Sequence, residues 1–253
     1  MQQTQVAQAA RILMQYQVDW IADKSQVKIM EKSRRIGISY AEAADDVLYA
    51  ASAEGANVYY ISYNKEMTSG FIQDCATWAR AFNAAASQIE ESVIEEEDKQ
   101  ILTYTIKFDS GHMIQAFTSS PRNLRSKGRP GERLVIDEAA FVDDIKELLK
   151  AAMAMTMWGG QIRIISTHDG DDNPFNELIN DVRAGKFPYS LHRVDLDDAL
   201  RDGLYKKICA VTGQEWAMER EVEWRQTMIN RYKPNEDEEL FCIPSKGGGA
   251  WLS

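Results

Sequence analysis

The octapeptide KSRRIGIS, residues 32–39, places a glycine and a hydroxyl where a phosphate-binding loop needs them. Set on the pattern G-x-x-x-x-G-K-[ST], Gly37 fills the second glycine and Ser39 the terminal hydroxyl, but Lys32 stands at the first glycine and Ile38 at the lysine. Such a loop has to turn a strand sharply into a helix N-terminus, so that backbone N–H groups and the helix dipole face phosphate. It must also supply a cation for the phosphate oxygens and a hydroxyl for Mg2+. Ser39 can serve the metal; Ile38 carries no charge, so the cation must come from Lys32, Arg34 or Arg35. Taken alone, the same string reads equally well as a solvated basic turn.

About a hundred residues on, RLVIDEAAF offers the complementary half: an apolar run ending in adjacent carboxylates, Asp137 and Glu138. Ligands in open α/β sheets bind at the carboxyl ends of strands. There Asp137 can hold Mg2+ and Glu138 can orient or deprotonate a water, the division of labour that nucleotide hydrolysis requires. Two carboxylates that close raise each other's pKa, and a bound metal relieves the repulsion. The alternative is an acidic pair capping a helix after a strand.

These residues need elements to hold them. The spacing of Val6, Ala9, Ala10, Leu13, Val18 and Ile21 predicts an amphipathic helix over 5–22, and QVKIMEK a buried strand. After the loop, SYAEAADDVLYAASAEG predicts a helix with Ser39 as N-cap, Glu42 three residues on, and Gly55 as its stop. NVYYISY followed by Asn64 gives a second strand and a capped helix to about Phe82. ILTYTIKF and HMIQAF around DSG predict a hairpin-like insertion, and the acidic EESVIEEED a solvated edge. RLVIDEAAF and QIRIISTHD, with DDIKELLKAAMAMTM between them, repeat the βα rhythm of a doubly wound sheet complete near residue 168. NPFNELINDVRAG, SLHRVDL and EWAMEREVEWRQTMINRY then read as helix, strand and helix of a smaller subdomain. The fold class is therefore α/β: a mainly parallel sheet flanked by helices, with a core over 1–170, a lid over 171–242 and a linker over 243–253.

Composition narrows the class. Of 253 residues 44% are hydrophobic and 27% charged, with no apolar run near the roughly 20 residues that span a bilayer. The N-terminus lacks the basic start and apolar core of a secretory signal, so a cytoplasmic protein is expected. Cys75, Cys209 and Cys242 lie too far apart for a CxxC site and read as reduced packing residues; His112, His168 and His192 likewise lack metal-ligand spacing. A net charge of -10 opposes diffuse phosphate binding. Against that balance SSPRNLRSKGRPGERL concentrates Arg122, Arg125, Lys127, Arg129 and Arg133 in one segment expected to be exposed.

Together, these strings resemble the ATPase domain of the large terminase subunit, the DNA-packaging motor of tailed bacteriophages, over nearly the whole chain. KSRRIGIS is similar to the family's variant Walker A loop, whose lysine stands at the first position; the resemblance implies Lys32 as the phosphate-binding lysine and Lys32, Ser33, Arg34, Arg35, Ile36, Gly37, Ile38 and Ser39 as the ATP-binding loop. LVIDEAAF is similar to the Walker B strand, implying Glu138 as the catalytic carboxylate and Ser39 with Asp137 on Mg2+. IISTHDG resembles the coupling motif, implying Ser166 and Thr167 as its sensing hydroxyls; a hydroxyl that merely closes a strand is the plain reading. MQYQVDW resembles the adenine-recognising segment, implying Tyr16 and Gln17 at the base. Arg125 or Arg129 is implied as an arginine reaching a neighbour's γ-phosphate, with DNA-phosphate contact and solvation as competing readings, or Arg34 acts in cis. The resemblance further implies ATP and Mg2+, a P-loop fold of the RecA-like kind, translocation of double-stranded DNA into a procapsid through a portal protein, a small terminase subunit as partner, a homo-oligomeric ring and action in the host cytoplasm. The nuclease domain that usually follows in this family finds no room here. A helicase-like DNA-dependent ATPase and a degenerate P-loop assembly module without turnover are the rivals; the former needs two RecA-like cores where this sequence carries one.

Overall fold

A computed structural model describes residues 13–84, 86–96, 99–118 and 127–246. Val6, Ala9, Ala10, Arg122 and Arg125 lie outside the described residues, as does the end from 247. One eight-stranded sheet organises the chain, in the order β3-β4-β5-β2-β6-β7-β1-β8. Its strands are β1 (Val27–Lys32), β2 (Val58–Ser62), β3 (Glu90–Glu96), β4 (Lys99–Lys107), β5 (Met113–Thr118), β6 (Arg133–Asp137), β7 (Gln161–Ser166) and β8 (Ser190–Val194). Six neighbours from β5 to β8 run parallel; β4 and β3 turn back antiparallel at one edge.

The central strands are apolar on both faces because helices cover both, the rule for parallel sheets. Alternation splits each strand between two cores. Met30, Val58, Tyr60, Val135 and Ile165 face one; Ile29, Tyr59, Ile61, Leu134, Ile136 and Ile164 face the other. The first core is closed by α1 (Gln15–Ala22), α2 (Ile38–Ala51) and α3 (Lys65–Ala81), and also takes residues of α6 (Leu196–Arg201) and α7 (Leu204–Thr212). The second is closed by α4 (Ile145–Met155) and α5 (Pro174–Arg183). Full burial of one such side chain contributes about 1.5–3 kcal/mol. Helices α8 (Met218–Tyr232) and α9 (Glu236–Phe241) complete the described chain. Among the described residues no helix is long and apolar enough to cross a membrane.

Several expectations change. The sheet does not end near residue 168: SLHRVDL does supply a strand, but as β8 it joins the main sheet beside β1, with Arg193 opposite Glu31 and Val194 opposite Lys32. Leu196, Leu200 and Leu204 enter the first core. The polar His192 and Arg193 of a strand that is only part-buried gave no sign of the sheet it enters. Within EESVIEEED, Glu90–Glu96 pairs with β4 as the outermost strand of the sheet, in keeping with the solvated edge expected there. Ser39 is not the cap of α2. Gly37 occupies that place with φ +79°, and Glu42, instead of closing a capping box, is buried and accepts a 2.5 Å hydrogen bond from Trp20 Nε1. α2 stops at Ala51, before Gly55. Asn64 does cap α3, accepting from the Met67 N–H at 2.8 Å.

Arg133, expected in an exposed basic loop, is buried as the first residue of β6. Its guanidinium lies 2.9 Å from Asp45 and 2.7 Å from Asp46 and over the Tyr49 ring, which pins α2 to the start of β6. Lys28 and Arg163, also buried, and Glu42 complete a group of three cations and three carboxylates under the sheet. Burial and the neighbouring Glu42 push the Asp46 carboxyl well up; burial also works on Asp45, but Arg133 holds it below its ordinary value. Burial pulls Lys28 down to about 8.

Candidate active site

The loop 33–37 leaves the carboxyl end of β1 and enters α2. Ile36 and Ile38 are buried and anchor it from beneath. Gly37 permits the left-handed turn, and a Cβ there would stand 2.9 Å from the Gln17 amide nitrogen. Arg35, at φ +60°, is exposed at the apex. From behind, α1 grips the backbone: Tyr16 Oη donates to the Ile36 carbonyl at 2.6 Å and Gln17 Nε2 to the Gly37 carbonyl at 2.7 Å. Gln17 Oε1 accepts from the Met14 N–H at 2.8 Å, so both ends of the amide are engaged within the fold. Tyr16 and Gln17, the residues implied at the adenine base, here brace the backbone of the loop.

Opposite the loop, β6 delivers Asp137 and Glu138. Ser39 Oγ donates to Asp137 Oδ2 at 2.6 Å, joining the loop hydroxyl and the strand carboxylate as a shared metal site would require. Tyr60 Oη, from β2, donates to the same oxygen at 2.8 Å, while its ring stacks on Phe71 at 3.7 Å. Burial, then the adjacent Glu138, push the Asp137 carboxyl up; Lys32, Ser39 and Tyr60 oppose this. Burial and Asp137 raise the Tyr60 phenol well above its usual value. Tyr60 was not singled out from the sequence; the adjacent Tyr59 and Tyr60 of NVYYISY, pointing to opposite faces of β2, were its one signal.

Glu138 sits at φ 52°, ψ 47°, left-handed backbone that costs a non-glycine residue of order 1–3 kcal/mol. This turn aims its carboxylate at the loop: Oε1 meets Lys32 Nζ at 2.8 Å, and the pair is nearly buried. Glu138 Oε2, Ser33 Oγ and Thr167 Oγ1 are buried without a hydrogen-bond partner among the described residues. Buried polar atoms normally find one, so these orphans, in the loop, after β6 and after β7, are groups a polar ligand would satisfy, and of the three residues Glu138 lines the cleft. Ser166 Oγ accepts from the Ala140 N–H at 3.0 Å, tying the end of β7 to the turn after Glu138. The cleft, about 520 Å³, is lined by residues 34–40 with Lys32 and Glu138, and runs on past Tyr63 and Asp74.

Arg34 points elsewhere. Its guanidinium forms a two-pronged pair with the Glu239 carboxylate of α9, one contact at 2.9 Å, and its N–H donates to the Glu239 carbonyl at 2.9 Å. Nothing in the sequence linked positions 34 and 239. Arg129 is exposed just ahead of β6, at the opposite end of that strand from Glu138, and so does not reach the cleft of its own chain. Among the described residues no three His, Cys, Asp or Glu side chains converge as a metal cluster. A Mg2+ here would take Ser39 and Asp137 from the protein and its other ligands from water and phosphate, the usual habit of that ion.

A family model for the large terminase subunit, T4likevirus-type, N-terminal, matches residues 29–253. The chain is 50% identical over 246 residues to the Mu-like prophage FluMu protein gp28 of Haemophilus influenzae, covering 95% of this chain and 48% of that protein. It is 49% identical over 252 residues to the probable terminase, large subunit gp28 of Escherichia phage Mu, covering 96% and 45%. The chain thus spans about half the length of the curated relatives it matches. Among solved structures, the large terminase ATPase domain of Thermus phage P74-26 superposes with a TM-score of 0.60 at 15% identity, covering 92% of this chain and 94% of that one. The large terminase of a second, thermophilic bacteriophage, solved in complex with ADP, gives 0.61 at 12% identity, covering 91% and 53%. At such identities the likeness is one of fold.

Proposed function

The chain belongs to the large terminase subunit family, and from that premise we propose that it is the ATP-hydrolysing part of a motor that moves double-stranded viral DNA into a procapsid. The observation that carries this reading is the convergence of Ser39 on Asp137 and of Lys32 on Glu138, whose Oε2 is left without a partner at the cleft. A γ-phosphate between the loop and β6 gives Ser33 and Thr167 the acceptor they lack and Lys32 an anion to neutralise. Ser39 and Asp137 would hold Mg2+, which supplies positive charge to the transferring phosphoryl group. Glu138 takes the proton of the attacking water as the new P–O bond forms and ADP leaves with the bonding electron pair. Arg34 acts in cis once released from Glu239, or Arg129 or Arg125 acts on a neighbour's site in a ring; either supplies charge at the same point. Of the lid expected over 171–242, β8 and α5 serve the main sheet, so the lid narrows to the segment from α6 to α9, where α9 holds the loop through Arg34. The motor's further partners are the portal of the procapsid and the small terminase subunit, within the host cytoplasm.

Phosphate release from Mg2+·ATP, with and without double-stranded DNA, tests the reading. Titration showing no Mg2+-dependent ATP binding would return the chain to an assembly module without chemistry. Within the site, Lys32→Ala is expected to weaken ATP binding about 10- to 150-fold, the loss of one charge-assisted contact of about 1.5–3 kcal/mol. Unchanged affinity in calorimetric titration would leave Lys32 a structural partner of Glu138 alone.

A further inference from the structure

Three successive residues at the end of β7 reach three different places. Ser166 binds the turn after Glu138, and Thr167 presents its unpartnered hydroxyl. His168, buried at 2% exposure, donates from Nε2 to Glu31 Oε1 at 2.7 Å. Glu31 is wholly buried and directly precedes Lys32; its second oxygen takes the Arg183 guanidinium at 2.5 Å, from the last turn of α5. The ladder between β1 and β7 pairs Glu31 with Ser166 and goes no further. Beyond it the two chains part, one into the phosphate loop and the other through Thr167. The imidazole crosses this gap, with its ring 5.7 Å from that of Phe175.

We propose that His168 is a positioning residue for ATP hydrolysis: through Glu31 it fixes the height of Lys32 against Thr167, so that both meet the same phosphoryl group. This rests on the reading of the cleft as an ATP site. A buried carboxylate is kept in place only by partners that satisfy it, and Arg183 supplies the charge while His168 supplies the direction toward β7. Removing the imidazole leaves Arg183 on Glu31, so the carboxylate keeps its cation but turns toward α5, and Lys32 moves with it. Ground-state binding, spread over the whole loop, changes little; alignment at the reacting centre changes much, because misplacement of about 1 Å there costs about 100-fold.

The test compares His168→Ala with His168→Gln, whose side-chain amide reaches as far as Nε2 and can donate to Glu31. Steady-state ATP turnover is measured together with amide hydrogen exchange of residues 32–39 in nucleotide-free protein. For the alanine variant kcat is expected to fall about 10- to 100-fold, with KM within about 3-fold and faster exchange across the loop. The glutamine variant is expected to recover most of the turnover and of the loop protection. Equal loss in both variants, or an alanine variant with wild-type kcat, would overturn the proposal. Should the wild-type chain hydrolyse no ATP, that failure belongs to the functional reading, and exchange then decides alone: loop protection unmoved by His168→Ala overturns the positioning role.

Discussion

Glu138→Ala is expected to lower ATP turnover about 100- to 10,000-fold, the range for loss of a general base, while Mg2+·ATP binds at least as tightly as before. Binding is preserved because Lys32, the other half of the 2.8 Å pair, is set free to meet phosphate when the carboxylate goes. The expected signature is therefore a collapse of kcat without a rise in KM, the pattern of an interaction made in the transition state alone. Single-turnover phosphate release beside equilibrium titration of a slowly hydrolysed analogue measures both quantities. Wild-type turnover in this variant would take the proton-accepting role away from Glu138.

The second large effect lies under the sheet. Arg133→Met keeps the volume and the apolar stem but removes the cation that Asp45 and Asp46 share. Breaking a buried pair from one side costs about 3–5 kcal/mol, because the remaining charge is left without compensation. The loss should depend on pH with a definite sign. Asp45, held low by Arg133 against the effect of burial, contributes stability that is present above its unfolded value and lost as pH falls through its folded one. Asp46, already raised by burial and Glu42, binds a proton more readily folded than unfolded, so its contribution fades as pH rises. Without Arg133 both carboxyls move up. The deficit in urea unfolding is thus expected to be small in acid and to grow toward neutral pH. A deficit independent of pH, or below about 1 kcal/mol, would mean that Lys28 and Arg163 carry the group without Arg133.

Much of this arrangement was legible in the residues themselves, for identifiable reasons. The loop and the Asp137–Glu138 strand are local: each is a short string whose chemistry depends on the turn or strand it makes, and each lies where it was expected. The hairpin β4–β5 and the Asn64 cap are local too. What escaped depends on contacts far apart in the chain. Glu239 finds Arg34 across 205 positions, and Tyr60 finds Asp137 across 77. Gln17 reaches the Gly37 carbonyl across 20 positions. Arg133 looked like one more member of a basic run; three acids on the hidden face of α2 drew it inside. β8 was legible as a strand but not as a neighbour of β1, because an edge strand need bury little and so carries no mark of the sheet it joins.

The left-handed backbone at Glu138 has a consequence for what can stand in its place. Glu138→Ala and Glu138→Gly both leave the buried Lys32 without its carboxylate, but glycine alone relieves the left-handed strain of about 1 kcal/mol or more, so the Glu138→Gly protein is expected to melt higher than the Glu138→Ala protein. Once the carboxylate is lost, glycine is the residue that this backbone favours over alanine. A library randomised at this codon and sorted by heat resistance should return glycine above alanine.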